Sequence, residues 1–549
     1  MSVLRAAFAV LLVASAPILL AVPASAQLER TTDRGADEGE GPFERLIIRG
    51  ANLVDGSGAP MVGPVDIVIE GNRIVDVQTV GSAGVPIDPA GRPQGATREI
   101  DAHGHYVLPG LIDVHAHLGD PEKAPQSEYV HKLFLGHGIT TVRGVELGLG
   151  DFFWGMEEKE RSARNEIVAP RLFQCIKNPD QVPGWDDPHL MTPEAGRAWV
   201  RFAAEHDADC LKLGRYSQGM MSPPVMQAIL DEARELGLGT TAHLHQNGVA
   251  EMNAVEMARA GLVGLTHFYG LFESMYDGYD IQPFPNDYNY ADEQDRFGYV
   301  AEQWHLIHER GSPGWNELIQ EFLENDFYLN PTLTTYESAR DVMRNRNADW
   351  HDTYTLPSMW DFYTPSRTAH GSFWFDWTTA REVAWRNYYR RWMEFVQDYK
   401  NAGGKVTAGA DAGYLYNLFG FTYIRELELL QEAGFHPLEV VRAATMHAAE
   451  ELVHASGEPI EFGLVRPGYL ADLLIVEENP LHNFKVLYGT GHVRLNDDTD
   501  EVERVGGVKY TIKDGIVYDA KQLMADVAEM VREQKVERGM DPDAPLPRY

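Results

Sequence analysis

Two histidines separated by one residue end an apolar run in the first quarter of the chain. They are His115 and His117, in the segment LIDVHAH. Alternate residues of a β-strand point to the same face, so both imidazoles can bind one cation. The spacing therefore predicts a metal site at the end of a strand. A structural histidine pair is the alternative at this point.

Four further polar residues lie at the ends of other apolar runs. They are Lys212, His243, His267 and Asp411. Six such side chains on five predicted strands are hard to explain by core packing and favour a shared metal centre. Lys212 would bring a positive charge toward a cation unless its amine has reacted with carbon dioxide to form an anionic carbamate. The alternative for Lys212 is a lysine whose amine reaches solvent.

Strands that alternate with amphipathic helices are needed to bring these residues together. Apolar strand candidates lie at 107–115, 139–145, 171–176, 210–214, 239–244, 262–267, 327–333 and 405–411. Helical patterns separate them, with apolar residues at every third or fourth position. Eight such units predict an α/β fold, a (β/α)8 TIM barrel, whose active site lies at the carboxyl ends of the strands.

Strand patterns at both chain ends predict a second unit, a small β-sandwich domain built from 43–106 and 464–520. The barrel would span 107–463, with insertions near 270–326 and 337–400 that are too long for ordinary loops and are expected to cover the barrel mouth. A C-terminal helix and tail are expected over 521–549. The polar, acidic segment 27–42 predicts a flexible leader.

The N-terminal segment 1–26 has one cation, an apolar centre and a small-residue ending, which is typical of a secretory signal peptide. It predicts a periplasmic or secreted protein without stable membrane association after cleavage, with an uncleaved anchor as the alternative. The formal net charge of −35 argues against nucleic acid as a partner and leaves a homo-oligomer open. Cys175 and Cys210 lie in apolar runs and are expected to be buried thiols rather than a disulfide.

Several motifs together resemble the amidohydrolase superfamily, in particular its imidazolonepropionase-like and prolidase-like (Xaa-Pro dipeptidase) branch. They are LPGLIDVHAHLGDP, ADCLKLG, TAHLHQNG, LTHF, NPTL, TAGADAG and GLVRPGYLADLLIVEENPL. The resemblance extends over residues 45–520 outside the two insertions. It implies a metal-dependent hydrolase.

The resemblance also implies a cofactor, two divalent metal ions, usually zinc, and a role for each of the six residues. His115, His117 and Asp411 would hold one ion, and His243 and His267 the other. Carbamylated Lys212 and a hydroxide would bridge the two ions, and Asp411 would be the catalytic base. The hydroxide would then attack an amide C–N bond. Manganese, cobalt or iron would also suit these ligands.

One position separates two reaction classes within the superfamily. Deaminases typically carry His-x-x-Glu after strand five and lack the strand-four lysine, whereas this chain has Gln246 there and retains Lys212. Hydrolysis is therefore favoured over deamination. The Tyr- and Trp-rich insertions indicate a small-molecule substrate with a bulky or aromatic group, such as a dipeptide or an N-acyl amino acid. Lactone or carbamate hydrolysis, and a non-catalytic binding role, stay open.

Substrate-binding residues are predicted beside the metal ligands. His245 follows His243 on the same side of its strand, Arg215 and Tyr216 come shortly after Lys212, and Arg143 lies in the second strand. A structural ion pair or hydrogen bond is the alternative for the last three. The loop after strand three, KNPDQVPGWDDPHLM, departs from the family's Gly-rich pattern, so the residues do not define dipeptide specificity.

Overall fold

The strands of the computed structural model form three groups along the chain. The structure describes residues 28–548 except 83, 147–151, 178–181, 183–184, 187–188, 215–221, 280 and 367–370. The first group is β1 Leu46–Leu53, β2 Val62–Glu70, β3 Arg73–Thr79, β4 Arg98–Asp101 and β5 Tyr106–Pro109. The second is β6 Leu111–His117, β7 Ile139–Glu146, β8 Arg171–Ile176, β9 Cys210–Leu213, β10 Gly239–Ala242, β11 Gly264–Thr266, β12 Tyr328–Asn330 and β13 Lys405–Val406. The third is β14 Leu473–Val476, β15 His492–Asn496, β16 Glu501–Val505, β17 Val508–Lys513 and β18 Ile516–Asp519.

Helices separate the strands of the second group and extend to the C-terminus. They are α1 Ser127–Gly136, α2 Phe152–Ala163, α3 Pro193–Glu205, α4 Pro223–Leu236, α5 Ala254–Ala260, α6 Glu293–Glu302, α7 Pro313–Glu324, α8 Leu333–Arg346, α9 His351–Tyr354, α10 Pro357–Tyr363, α11 Thr379–Asn401, α12 Phe421–Glu432, α13 Pro437–Ala443, α14 Met446–Val453 and α15 Ala520–Glu537. Within the described part of the chain, no helix is both long enough and apolar enough to cross a bilayer.

Strands β6 to β13 form one parallel sheet in chain order. Each of the eight predicted strands has an observed counterpart, although several are shorter than predicted. Val114 N–H donates to Ala408 O at 3.1 Å, and Asp411 N–H donates to His115 O at 2.9 Å. The segment after β13 therefore returns beside β6. The result is a mixed α/β fold with a curled parallel sheet.

The first predicted strand, 107–115, is divided between two sheets at Gly110. Val107 and Leu108 belong to β5, which pairs with β14, whereas Leu111 begins β6, which pairs with β7. A Cβ atom at Gly110 would lie 2.0 Å from Thr140 Oγ1. Only glycine therefore fits at the point where the chain passes from one sheet to the other. The residues on both sides of Gly110 are apolar, so the sequence pattern predicts one continuous strand.

The remaining strands form a mixed sheet of eight and a separate hairpin. The order in the sheet is β18-β17-β14-β5-β1-β2-β3, with β4 beside β1, and β15 pairs with β16. Strands from both ends of the chain thus share one hydrogen-bonded sheet, where the sequence predicted a sandwich. Below, it is called the terminal sheet.

The segment 28–42 is tied to folded elements, in contrast to the flexible leader that its composition predicted. Glu29 bridges to Gln126, and Glu40 bridges to Val517 of β18. Thr31 is only 2% exposed. Polar composition could not reveal these contacts, because backbone groups make the bridges.

The two cysteines form a disulfide, so the expectation of free thiols was wrong. Cys175 and Cys210 are paired in register between the parallel strands β8 and β9, with Cα atoms 4.3 Å apart. Both are buried, as predicted. The pairing depends on strand adjacency, which the spacing of 35 residues does not indicate.

The two long insertions contain helices that pack against the parallel sheet. Helix α11 presents a stripe of buried aromatic side chains, which are Trp385, Tyr388, Tyr389 and Trp392. Trp385, Tyr388 and Trp392 pack with Phe268 of the segment after β11. The stripe is therefore core, as its helical spacing indicates. Helix α6, from the other insertion, contributes to the site described next.

Candidate metal centre and substrate cavity

The six predicted ligands lie in or just after five strands of the parallel sheet. His115 and His117 are in β6, Lys212 is in β9, and His243, His267 and Asp411 follow β10, β11 and β13. Gly214, just after β9, allows the close approach, because a Cβ there would lie 1.8 Å from His243 O. The ends of β9 and β10 therefore lie close together.

Asp411 is at the centre of the cluster. Its Oδ1 lies 2.9 Å from His117 Nε2 and 3.4 Å from His115 Nε2, and its Oδ2 lies 3.6 Å from His267 Nε2. His115, His117 and Asp411 offer ligand atoms that all lie within 4.8 Å of one another. Lys212 Nζ is 3.4 Å from His115 Nε2. The ring centre of His243 lies 4.4 Å from the ring centre of His267. The four histidines and Asp411 together give the cluster five possible metal ligands.

Threonine hydroxyls orient two of the rings. His115 Nδ1 lies 3.1 Å from Thr266 Oγ1, and His267 Nδ1 contacts Thr332 Oγ1. The Nε2 atoms are thereby directed to the centre of the cluster. Such partners on the outer nitrogen are usual for metal-binding histidines, whose ring orientation they determine.

Burial keeps the imidazoles in the protonation state that a metal requires. It lowers the pKa of His115 and of His243 well below the usual value, and the pKa of His267 to about 3. For Asp411, burial opposes ionisation, but His115 and His117 outweigh it and bring the pKa well below the usual range. Neutral rings beside a carboxylate are a suitable ligand set.

A buried atom without a partner also fits a metal. His243 Nε2 is buried and has no hydrogen-bond partner in the described part of the structure. Buried polar atoms are nearly always paired, so an unpaired imidazole nitrogen beside a ligand cluster indicates a missing ligand. The donor set, imidazole nitrogens and a carboxylate, suits zinc and similar divalent ions.

Asp113 is a site residue that sequence reasoning missed. Its Oδ1 accepts hydrogen bonds from His115 N–H at 3.0 Å and from Ala410 N–H at 3.1 Å, so it joins β6 to the segment that carries Asp411. Complete burial raises the pKa of Asp113 to about 8. An acidic residue inside the apolar run LIDVHAH was the available signal.

Five of the six predicted ligands, all except His267, form the floor of a cavity of about 310 Å³, called the substrate cavity. Its walls carry two cations, Lys177 and Arg296, and the aromatic side chains of Phe297, Tyr336, Phe373 and Tyr414. Arg296 and Phe297 come from α6 and Phe373 from the second insertion. Arg296 lies over the rings of Tyr290 and Phe297, at 4.9 and 4.8 Å. Charge and aromatic surface are thus combined around the ligands.

The predicted substrate-binding residues have different outcomes. His245 lines the substrate cavity and contacts the hydroxyl of Tyr290. Arg143 does not line it: its guanidinium is buried, 2.8 Å from the carboxylate of Glu451, and its Nε donates to Val114 O. Arg143 is therefore a structural ion pair, the alternative interpretation. Arg215 and Tyr216 lie outside the described residues. Arg296 was missed, because its insertion has no regular spacing relative to the strands.

The sequence matches the Amidohydrolase family over residues 106–294 and 389–517, which make up more than half of the chain. The chain belongs to the amidohydrolase family. A dihydroorotase of Brevibacillus brevis is 25% identical over 247 residues, which cover 43% of this chain and 51% of the dihydroorotase. Adenine deaminase 2 of Rhizobium etli is 32% identical over 142 residues, which cover 25% of this chain and 22% of the deaminase. The chain spans about half the length of the first of these relatives.

Solved structures with the same fold cover more of this amidohydrolase. A Xaa-Pro dipeptidase with bound methionine in its active site superposes with a TM-score of 0.54 at 18% identity, covering 86% of this chain and 100% of the dipeptidase. Bottromycin amidohydrolase superposes with a TM-score of 0.59 at 17% identity, covering 92% of each chain. The predicted resemblance to prolidase-like amidohydrolases is confirmed.

Gln246 of this amidohydrolase is bonded to the backbone of α6. Its Nε2 donates to Arg296 O at 2.8 Å, and the side chain is almost fully buried. Gln246 therefore supports the segment that carries Arg296.

Proposed function

We propose that this amidohydrolase is a metal-dependent hydrolase that cleaves an amide C–N bond in a small molecule, either a dipeptide or an N-acyl amino acid with a bulky or aromatic group. The observation that carries the proposal is the convergence of His115, His117 and Asp411 on the floor of the substrate cavity. The cations and aromatic rings of the walls support the substrate class.

We also propose that the site binds two divalent ions, with zinc as the first candidate. His115, His117 and Asp411 would hold one and His243 and His267 the other, with carbamylated Lys212 between them. When bound, such ions lower the pKa of water and polarise a carbonyl. Lys212 is buried with its Nζ 3.4 Å from His115 Nε2, which supports carbamylation, because an anionic carbamate suits a place among metal ligands better than an ammonium does.

The protein's own residues would divide the remaining work. Asp411, ionised and at the centre of the cluster, would accept the proton of the attacking water and return it to the departing amine. Arg296 would bind the free carboxylate of the substrate, and Tyr336 and Phe373 would enclose its apolar group. The methionine in the active site of the related Xaa-Pro dipeptidase is consistent with an amino-acid product.

The finer architecture belongs to the same proposal. We propose that β6 to β13 close into a (β/α)8 barrel, supported by the hydrogen bonds of Val114 and Asp411, and that the terminal sheet folds over as a sandwich. We also propose export to the periplasm or the exterior. The Cys175–Cys210 disulfide supports export, because disulfides persist mainly in oxidising compartments.

A substrate panel tests the proposed reaction. Purified, metal-loaded protein is assayed with dipeptides and N-acyl amino acids that carry aromatic groups, and with lactones and carbamates. We expect release of a free amine, and a loss of about 100-fold in Lys212→Ala. Lys509→Ala, in the terminal sheet, is the matched control and keeps full activity. If only lactones are hydrolysed, the proposed activity is lactone hydrolysis instead of amide hydrolysis. If no substrate is hydrolysed, the result favours a non-catalytic binding protein.

A further inference from the structure

We propose that a second cavity of about 400 Å³ binds a small aromatic carboxylate. This second cavity lies between α8, α12 and the β15–β16 hairpin, and it shares no lining residue with the substrate cavity. The proposal does not depend on the reaction proposed above.

The wall of the second cavity has the opposite charge balance to the chain as a whole. It carries four cations, Arg344, Arg425, Lys485 and Arg504, and two carboxylates, Asp349 and Glu428. The chain has 47 lysines and arginines and 82 aspartates and glutamates. A local excess of positive charge in such an acidic protein indicates an anionic ligand.

Arg344 is the cation available to that ligand. Arg425 and Lys485 lie 3.0 and 2.9 Å from Glu428, whereas Arg344 is 3.8 Å from Glu428 and 4.0 Å from Glu337. The guanidinium of Arg344 makes no hydrogen bond to any described residue, and its side chain is 48% exposed. A guanidinium presents a fork of donors that matches a carboxylate.

His492 is a further polar residue of the same wall. His492 Nδ1 is buried and has no hydrogen-bond partner among the residues that the structure describes. Other atoms of the His492 side chain line the second cavity, so this residue adds a polar group to the wall that carries the cations.

Flat apolar surface completes the second cavity. Trp350 stacks with Phe421 at 4.9 Å and lies 5.6 Å from the ring of Tyr488. Val493 pairs with Arg504 across the hairpin, and both line the cavity. Leu495 and Val502 pair two residues farther along each strand, so they share that face, and they are 57% and 72% exposed. The ligand therefore needs an aromatic body as well as a charge.

Asn417 connects this wall to the segment that carries Asp411. Its Oδ1 accepts from Asn345 Nδ2 at 3.1 Å, and its backbone oxygen accepts from Gly413 N–H at 2.8 Å. Gly413 is two residues from Asp411. Asn417 therefore joins the wall of the second cavity to the segment that follows β13.

Titration with fluorescent 2-naphthoate tests the proposal on the full chain. We expect saturable binding to the wild type, at least tenfold weaker binding to Arg344→Gln, and at least tenfold weaker binding of uncharged 2-naphthamide to the wild type. Arg386→Gln, which removes an exposed arginine of α11, is the matched control and should change the affinity less than twofold. Circular dichroism checks that each variant is folded.

Two results would overturn the proposal. The first is equal affinity of Arg344→Gln and the wild type for 2-naphthoate. The second is binding that is lost in Arg296→Gln and kept in Arg344→Gln, because the probe would then occupy the substrate cavity. Neither result bears on amide hydrolysis, which the substrate panel measures separately.

Discussion

At the scale of single residues, the site depends on groups whose charge is controlled by burial. The rings of His115, His243 and His267 stay neutral because burial lowers their pKa, while Asp411 stays ionised among them. Arg296 is the charged wall residue directed by its contacts with Tyr290 and Phe297. It is therefore the residue on which substrate selectivity should depend.

Replacing Arg296 by glutamine tests that role. A hydrogen bond to a charged group contributes about 1.5–3 kcal/mol, so kcat/KM for an N-acyl amino acid should fall by about 10- to 100-fold. The C-terminal amide of the same substrate should be affected less than about threefold, because it carries no carboxylate. Arg386→Gln serves as the control. An equal loss for both substrates would assign Arg296 a structural role instead.

The sequence was informative about residues whose chemistry depends on strand position. His115, His117, Lys212, His243, His267 and Asp411 could be singled out because parallel strands end at one edge. Arg296, Asp113 and the true partner of Arg143 could not, because their roles depend on contacts between segments far apart in the chain. Cys175 and Cys210 are a similar case, since only adjacent strands bring them into register.

At the scale of elements, the parallel sheet is held by a buried ion pair as well as by apolar packing. Arg143 of β7 lies 2.8 Å from Glu451 of α14, and Glu451 also accepts from Thr407 Oγ1 at 2.7 Å. The pair therefore ties a strand, a helix and the segment after β13 together. All eight strands could be predicted from their apolar runs, but the division at Gly110 could not, because it is a steric property of the folded chain.

Glu451→Gln should destabilise the protein by about 3–5 kcal/mol, because it leaves the charge of Arg143 buried without a counter-charge. Denaturant unfolding followed by tryptophan fluorescence measures the change. Glu450→Gln, the neighbouring and less buried position, should shift the midpoint little. If the two variants have the same midpoint, the ion pair does not stabilise the sheet.

At the scale of the whole molecule, the substrate cavity and the second cavity both carry cations although the chain is acidic. The substrate cavity has Lys177 and Arg296, and the second cavity has Arg344. The second insertion contributes residues to both cavities, and the first contributes Arg296 and Phe297 to the substrate cavity. Their position over the strand ends was predicted from length alone, whereas the aromatic and charged surfaces that they present depend on tertiary packing. The segment 28–42 shows the limit of composition, because its backbone contacts override its polarity.

The metal content of the purified protein tests the central claim most directly. After exposure to excess zinc and removal of unbound metal, elemental analysis of the wild type should give about two ions per chain. His243→Ala should retain about one, because it removes a ligand of one ion only. His305→Ala, which removes an exposed histidine outside the cluster, should retain both. A folded wild type that holds less than one ion per chain, or an equal loss in His305→Ala, would contradict the account.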